Sequence, residues 1–161
     1  MKKGFTLIEL LIAISIIGLL TAVGFTTFPS ILRLARDTGR RSDLKQVQNA
    51  LESYGNITGG LYPSRIAVAD SNTTTLLCAD LNLKLEPDIV CTQDSFFATD
   101  STYGYRYTTN GTGSGNVDAT IYLMWGKLES KTPTSYWVIC SNGKTGITTT
   151  IPTTYTCPTL Q

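Results

Sequence analysis

From Leu10 to Phe28 the chain runs without a charged residue or a proline, and Phe5 to Ile8 extends the apolar stretch on the far side of a lone carboxylate, Glu9. About twenty helical residues at 1.5 Å each cross the hydrocarbon core of a bilayer. No other feature constrains the fold as strongly, because such a segment must leave water. The 161 residues then leave room for one compact domain and this appendage. Two ordinary readings account for the apolar run. One is a cleaved secretory signal, with Lys2 and Lys3 as its basic region and Ala22-Val23-Gly24 as the cleavage site. The other is a plain single-pass anchor. Neither gives Glu9 a task.

A third reading does. Lys2-Lys3-Gly4 followed by Phe5-Thr6-Leu7-Ile8-Glu9-Leu10 resembles the prepilin signature of the type IV pilin superfamily, which includes the pseudopilins of type II secretion. The resemblance implies that a prepilin peptidase cuts after Gly4 on the cytoplasmic face and methylates the new N terminus at Phe5. It implies a homo-oligomeric helical filament, raised by an inner-membrane assembly platform and its ATPase. It also implies a single-pass membrane precursor with its globular domain outside the cytoplasm, and then a surface pilus or a periplasmic pseudopilus. Physics supplies the role of Glu9. Cleavage creates an α-ammonium at Phe5, one helical turn from the carboxylate. In a filament core of apolar helices a lone amine and a lone carboxylate are each costly to bury. Paired between neighbouring subunits, they offset that cost and fix the axial register of helices that otherwise slide.

Charge counting alone points the other way. Arg33, Arg36, Arg40, Arg41 and Lys45 outnumber Lys2 and Lys3, and the positive-inside rule would keep the C-terminal part in the cytoplasm. The leader implied by the resemblance, and a cysteine-bearing, strand-rich remainder, favour the opposite orientation. The basic cluster itself reads either as a solvated helix face or as a surface that pairs between subunits.

The composition narrows the function classes. There is no histidine, and the formal net charge is +1. Imidazole bases and the commonest metal ligand are thereby absent, and no catalytic constellation, metal site or cofactor is expected. No basic-aromatic patch marks a nucleic-acid partner. The four cysteines, Cys78, Cys91, Cys140 and Cys157, include no CxxC pair. In an exported domain they imply two disulfides with three connectivities. Cys78–Cys91 and Cys140–Cys157 close the shortest loops, each worth roughly 3 kcal/mol in the chain-entropy model. Sequons at Asn56, Asn72 and Asn110 are weak signals in so threonine-rich a chain.

Five segments follow from these patterns: a leader at 1–4, a hydrophobic transmembrane and assembly helix at 5–28, its amphipathic continuation at 29–55, a connecting region at 56–102, and a β-meander with a disulfide loop at 103–161. Ile31, Leu32, Leu34 and Ala35, then Leu44, Val47, Leu51 and Tyr54, recur at helical spacing. Asp37–Arg41 forms an i,i+4 pair, and Gly55-Asn56, with Gly59-Gly60 behind, supplies the stop. Gly18, Thr21, Gly24, Thr26, Thr27 and Pro29 make a weak stretch within the helix. Leu76 to Leu81 reads as a short helix. Period-two runs at 103–107, 119–125, 136–140 and 145–151 predict four strands, with Asn142-Gly143 as a two-residue hairpin and 110–116 as a looser connection. The expected fold class is α+β and pilin-like: a long N-terminal helix, its second half packed on a four-stranded antiparallel sheet.

Within the superfamily, the Cys140–Cys157 loop resembles the disulfide-bounded region of pilins, whereas Leu61-Tyr62-Pro63 resembles an element of major pseudopilins and some pilins. Major pseudopilins place calcium ligands in their C-terminal loops. Residues 145–161 hold no acid, leaving Asp94, Asp100 and Asp118 as carboxylates elsewhere.

Overall fold

The computed structural model describes residues 4–66, 73–82, 85 and 92–161. Helix α1 runs Leu7–Thr58, with Pro29 inside it. Its parts Leu7–Ala22 and Thr27–Thr58 lie at 50° to each other. Proline supplies the cause, because its ring has no N–H to donate and crowds the carbonyl four residues back, at Phe25. No single straight helix among the described residues is long and apolar enough to cross a membrane, but the bent pair passes that test together.

The second half of α1 packs as its spacing predicts. Leu44, Val47, Leu51 and Tyr54 form one buried stripe against Tyr105, Tyr107, Tyr122, Met124 and Ile139. Ile31, Leu32 and Leu34 do not join it, since they are exposed and the head begins to cover the helix only at Arg36. The helix also outlasts the expected stop. It ends at Gly59, which adopts the left-handed cap (φ 72°) that only glycine enters without strain. Gly55 serves packing instead: a Cβ there would stand 3.0 Å from the Tyr62 ring.

Among the described residues six strands follow: β1 Tyr62–Arg65, β2 Arg106–Thr109, β3 Ser114–Ala119, β4 Tyr122–Leu128, β5 Ser135–Cys140 and β6 Thr145–Thr148. A four-stranded antiparallel sheet has the order β2-β4-β5-β6, and β1 pairs with β3 in a separate antiparallel ribbon. The meander is therefore interrupted. The glycine-rich segment after β2, expected as a loose connection, turns at 110–113 and then pairs with the strand that follows α1. Tyr103, expected in the first strand, closes a 3-10 turn instead (Ser101–Tyr103), because Asp100 caps the Thr102 N–H. The β5–β6 hairpin sits where Asn142-Gly143 predicts, but the turn is longer. The Gly143 N–H donates to the Cys140 carbonyl with φ 81° at Gly143, so the turn closes over Ser141-Asn142. Helix α2, Thr73–Asn82, contains the expected short helix and buries Leu77, Cys78 and Leu81.

The sheet is apolar on both faces. One face meets α1; the other carries Leu123, Trp125, Val138 and Cys140, which pack against Tyr136, Cys157 and Leu160. Cys140 and Cys157 are joined by a disulfide across a Cα–Cα distance of 5.7 Å. Cys78 is also disulfide-bonded, and Cys91, its expected partner, lies outside the described residues.

Candidate assembly site

The chain before α1 is built around Glu9. Thr6 is extended (φ −86°, ψ 150°) and caps the helix, its Oγ1 accepting the Glu9 N–H at 3.4 Å. In return Glu9 Oε2 accepts the Thr6 N–H at 2.9 Å and the Thr6 hydroxyl at 2.7 Å. This reciprocal arrangement is a capping box, which satisfies two of the donors that a helix start leaves unpaired. The Thr-x-x-Glu spacing is a capping-box signature legible in the sequence itself. Phe5 is 85 % exposed. A Cβ on Gly4 would meet nothing within 4 Å, so the fold itself gives no reason for a glycine there. Lys2 and Lys3 lie outside the described residues.

Glu9 is the one charged residue between Gly4 and Leu32. Around it, every described large apolar side chain from Phe5 to Leu34 is exposed. The surface is thus a continuous apolar cylinder with a single carboxylate near its tip.

At the other end of this bare stretch stands an ionic cluster that sequence reading misassigned. Asp37 pairs with Arg40, Nη1 to Oδ1 2.7 Å, and not with Arg41. Three residues is the better reach here, because Arg40 and Asp37 both point under the head. Arg40 is only 2 % exposed and also holds Asp94, while Arg36 grips Glu129 with Nε at 2.7 Å. Asp37 further accepts the N–H groups of Glu129 and Ser130, each at 2.8 Å, which ties α1 to the turn after β4. Burial would raise the Asp37 carboxyl, but these N–H donors and Arg40 outweigh it and hold it below its usual range. The hydrogen bond from Arg36 likewise lowers Glu129. The basic cluster is therefore not one solvated or intersubunit face. Arg36 and Arg40 serve the chain's own head, and Arg33 stays 57 % exposed at 3.8 Å from Glu129. Glu129 and Asp94 had no local signal, since their partners lie 93 and 54 positions away in sequence.

Further up, sheet tyrosines donate to helix carboxylates, Tyr105 to Asp43 at 2.7 Å and both Tyr62 and Tyr122 to Glu52. Burial, reinforced by those carboxylates, pushes the Tyr105 and Tyr122 hydroxyls up, so they remain donors. The acids considered as cation ligands are dispersed. Asp94 meets Arg40, Asp100 lies by Lys127, and Asp118 accepts the Thr112 hydroxyl. No group of three metal-ligating side chains occurs among the described residues. Asn110, a sequon asparagine, accepts the N–H groups of Thr120 and Ile121 through its Oδ1.

Residues 1–25 match the family model for the prokaryotic N-terminal methylation motif. A segment of 45 residues is 49 % identical to a pilin-like protein, PilA3, of Thermus thermophilus, covering 28 % of this chain and 19 % of that relative. No solved structure matches the chain. The two matches give the chain a pilin-like N-terminal methylation motif, and the long helix with its antiparallel sheet is consistent with the pilin fold.

Proposed function

We propose that this chain is the structural subunit of a type IV pilus-like filament, cleaved after Gly4, methylated at Phe5 and polymerised through the first half of α1. The observation that carries the reading is the bare apolar cylinder of Phe5–Leu32 with Glu9 as its single charge. Helices of this kind lie stably in lipid as separate subunits or against one another as a filament core. Passage between the two states exchanges lipid for neighbouring helices with little change in apolar burial. What distinguishes the filament is the pairing of Glu9 with the Phe5 ammonium of a neighbour. The capping box supports this role, because it presents the carboxylate at the helix tip in the unassembled subunit. A prepilin peptidase, an assembly platform and its ATPase are the partners this reading requires.

Intact-mass measurement of sheared surface material, with electron microscopy of the same sample, tests the proposal. The expected result is fibres whose subunit begins at a methylated Phe5. Fibres built from chains that begin at Met1 would overturn the processing step. Material confined to short periplasmic assemblies would favour the secretion pseudopilus over the surface pilus.

A further inference from the structure

Strand β6 is the last strand of the sheet, and its outer edge is not open. The Gln161 N–H donates to the Ile147 carbonyl at 2.9 Å, and the Ile147 N–H donates to the Gln161 carbonyl at 3.3 Å. Two residues that exchange both hydrogen bonds form one rung of an antiparallel ladder. Residues 158–161 thus lie as a short fifth rung-bearing segment against β6. Gly146 admits them: a Cβ at that position would sit 2.8 Å from the Leu160 Cβ and 3.2 Å from the Gln161 carbonyl oxygen. Leu160 joins Cys157 and Tyr136 over the outer face of the sheet, and the Cys140–Cys157 bond anchors the segment three residues before its contact.

Apart from its shortness, four residues, the covered edge lacks the usual protections. No acid or base occurs from Thr145 to Gln161, and β6 itself contains no proline. An uncharged edge with free N–H and C=O groups is a template for another strand. The nearest supply of a matching strand is the same edge of a second copy, since β6 can pair with itself antiparallel about Ile147. In that arrangement Gly146 faces Thr148 and Ile147 faces its own counterpart.

We propose that residues 158–161 are an autoinhibitory guard, held by the Cys140–Cys157 disulfide, that prevents the β6 edges of two copies from pairing head to head. An oxidised head is closed to this association, and a head in which the disulfide has not formed is open to it. The inference does not depend on the filament reading.

The test uses the full chain in detergent micelles, in three altered forms: Gly146→Val, Cys140→Ser with Cys157→Ser, and a chain stopped after Cys157. Hydrogen exchange is read at Ile147, with Val138 and Ile139 of β5 as internal controls for an intact sheet. Lys144–Lys144 cross-links between isotopically labelled and unlabelled copies report head-to-head pairing. Where pairing is blocked by adding Thr145→Lys, the Ile147 amide should exchange at least about tenfold faster than in the unaltered chain, with β5 still protected. Without Thr145→Lys the cross-links should appear, and with it they should vanish. Unchanged Ile147 exchange in the blocked variants would overturn the guard. So would an absence of cross-links, or cross-links that persist despite Thr145→Lys. If one variant loses β5 protection, the other two carry the comparison, and loss in all three would overturn the proposal by making the segment part of the core.

Discussion

The two halves of α1 are one helix by backbone and two different objects by environment. The described side chains of 7–35 are exposed, with Arg33 reaching the head at 3.8 Å from Glu129, whereas from Arg36 onward the helix packs on the head. The first half is apolar all round, and the second has one apolar stripe and acids aimed at tyrosines. A helix that is hydrophobic on every side has no preferred face, so a single polar residue can decide where it docks. In the second half, position is fixed by many contacts and no one polar residue is decisive for register. The contrast teaches that a sequence change in α1 has to be judged by which half it falls in before its chemistry is considered.

The largest blow to head stability is expected from Arg40→Ala. It strands Asp37 and Asp94 in a buried setting, and breaking such a pair costs about 3–5 kcal/mol. Chemical denaturation of the full chain in micelles, followed by tryptophan fluorescence, measures it. A loss below 1 kcal/mol would mean that the ionic cluster does not anchor the helix. Leu51→Ala comes next, at about 2–4 kcal/mol from lost burial and the cavity left behind, while Leu11→Ala, on the exposed half, should leave head stability unchanged. Equal effects from these two leucines would erase the distinction between the halves.

Acid is a gentler probe of the same boundary. Glu129 and Asp37 both titrate below their ordinary values of 4.5 and 3.8 when folded. Their contribution is present above those ordinary values and is lost as pH falls through the lower folded ones. Head melting temperature should therefore drop below about pH 4.5, and Glu129→Gln should flatten that drop. Glu9→Ala is the smallest perturbation of the head, within about 0.5 kcal/mol of the unaltered chain. Yet filament yield, counted by electron microscopy, should collapse. Normal filaments from Glu9→Ala would show that apolar packing alone sets the register.

Periodicity made the second half of α1 legible. Leu44, Val47, Leu51 and Tyr54 stand three or four positions apart and are the residues that the sheet covers. The strand-like runs at 119–125 and 136–140 fell on β4 in part and on β5, but burial there does not alternate, because both faces of the sheet are covered. What stayed hidden was pairing between distant segments. Tyr62–Arg65 has no alternation that announces its union with Ser114–Ala119, and Arg36 carries no trace of Glu129. The helix end was misjudged because two glycine signals competed: Gly55 is required by the Tyr62 ring and Gly59 by the cap. At the candidate assembly site Gly4, Phe5 and Glu9 were singled out by resemblance, whereas Thr6 was recoverable from local spacing alone.

The bend at Pro29 and the bare residues beyond it give the molecule a mechanical weak point. Tension applied between the apolar tip and the head passes through residues 23–35, where among the described residues the helix's own hydrogen bonds are joined by the exposed Arg33–Glu129 contact. Beyond Asp37 the same load is shared by the ionic cluster, the tyrosine–carboxylate contacts and the sheet. A helix drawn out from 1.5 Å to about 3.4 Å per residue gains roughly 25 Å over such a stretch. The chain is thus built as a stiff handle joined to an apolar rod by an extensible link, and a pull is expected to lengthen the link before it disturbs either end.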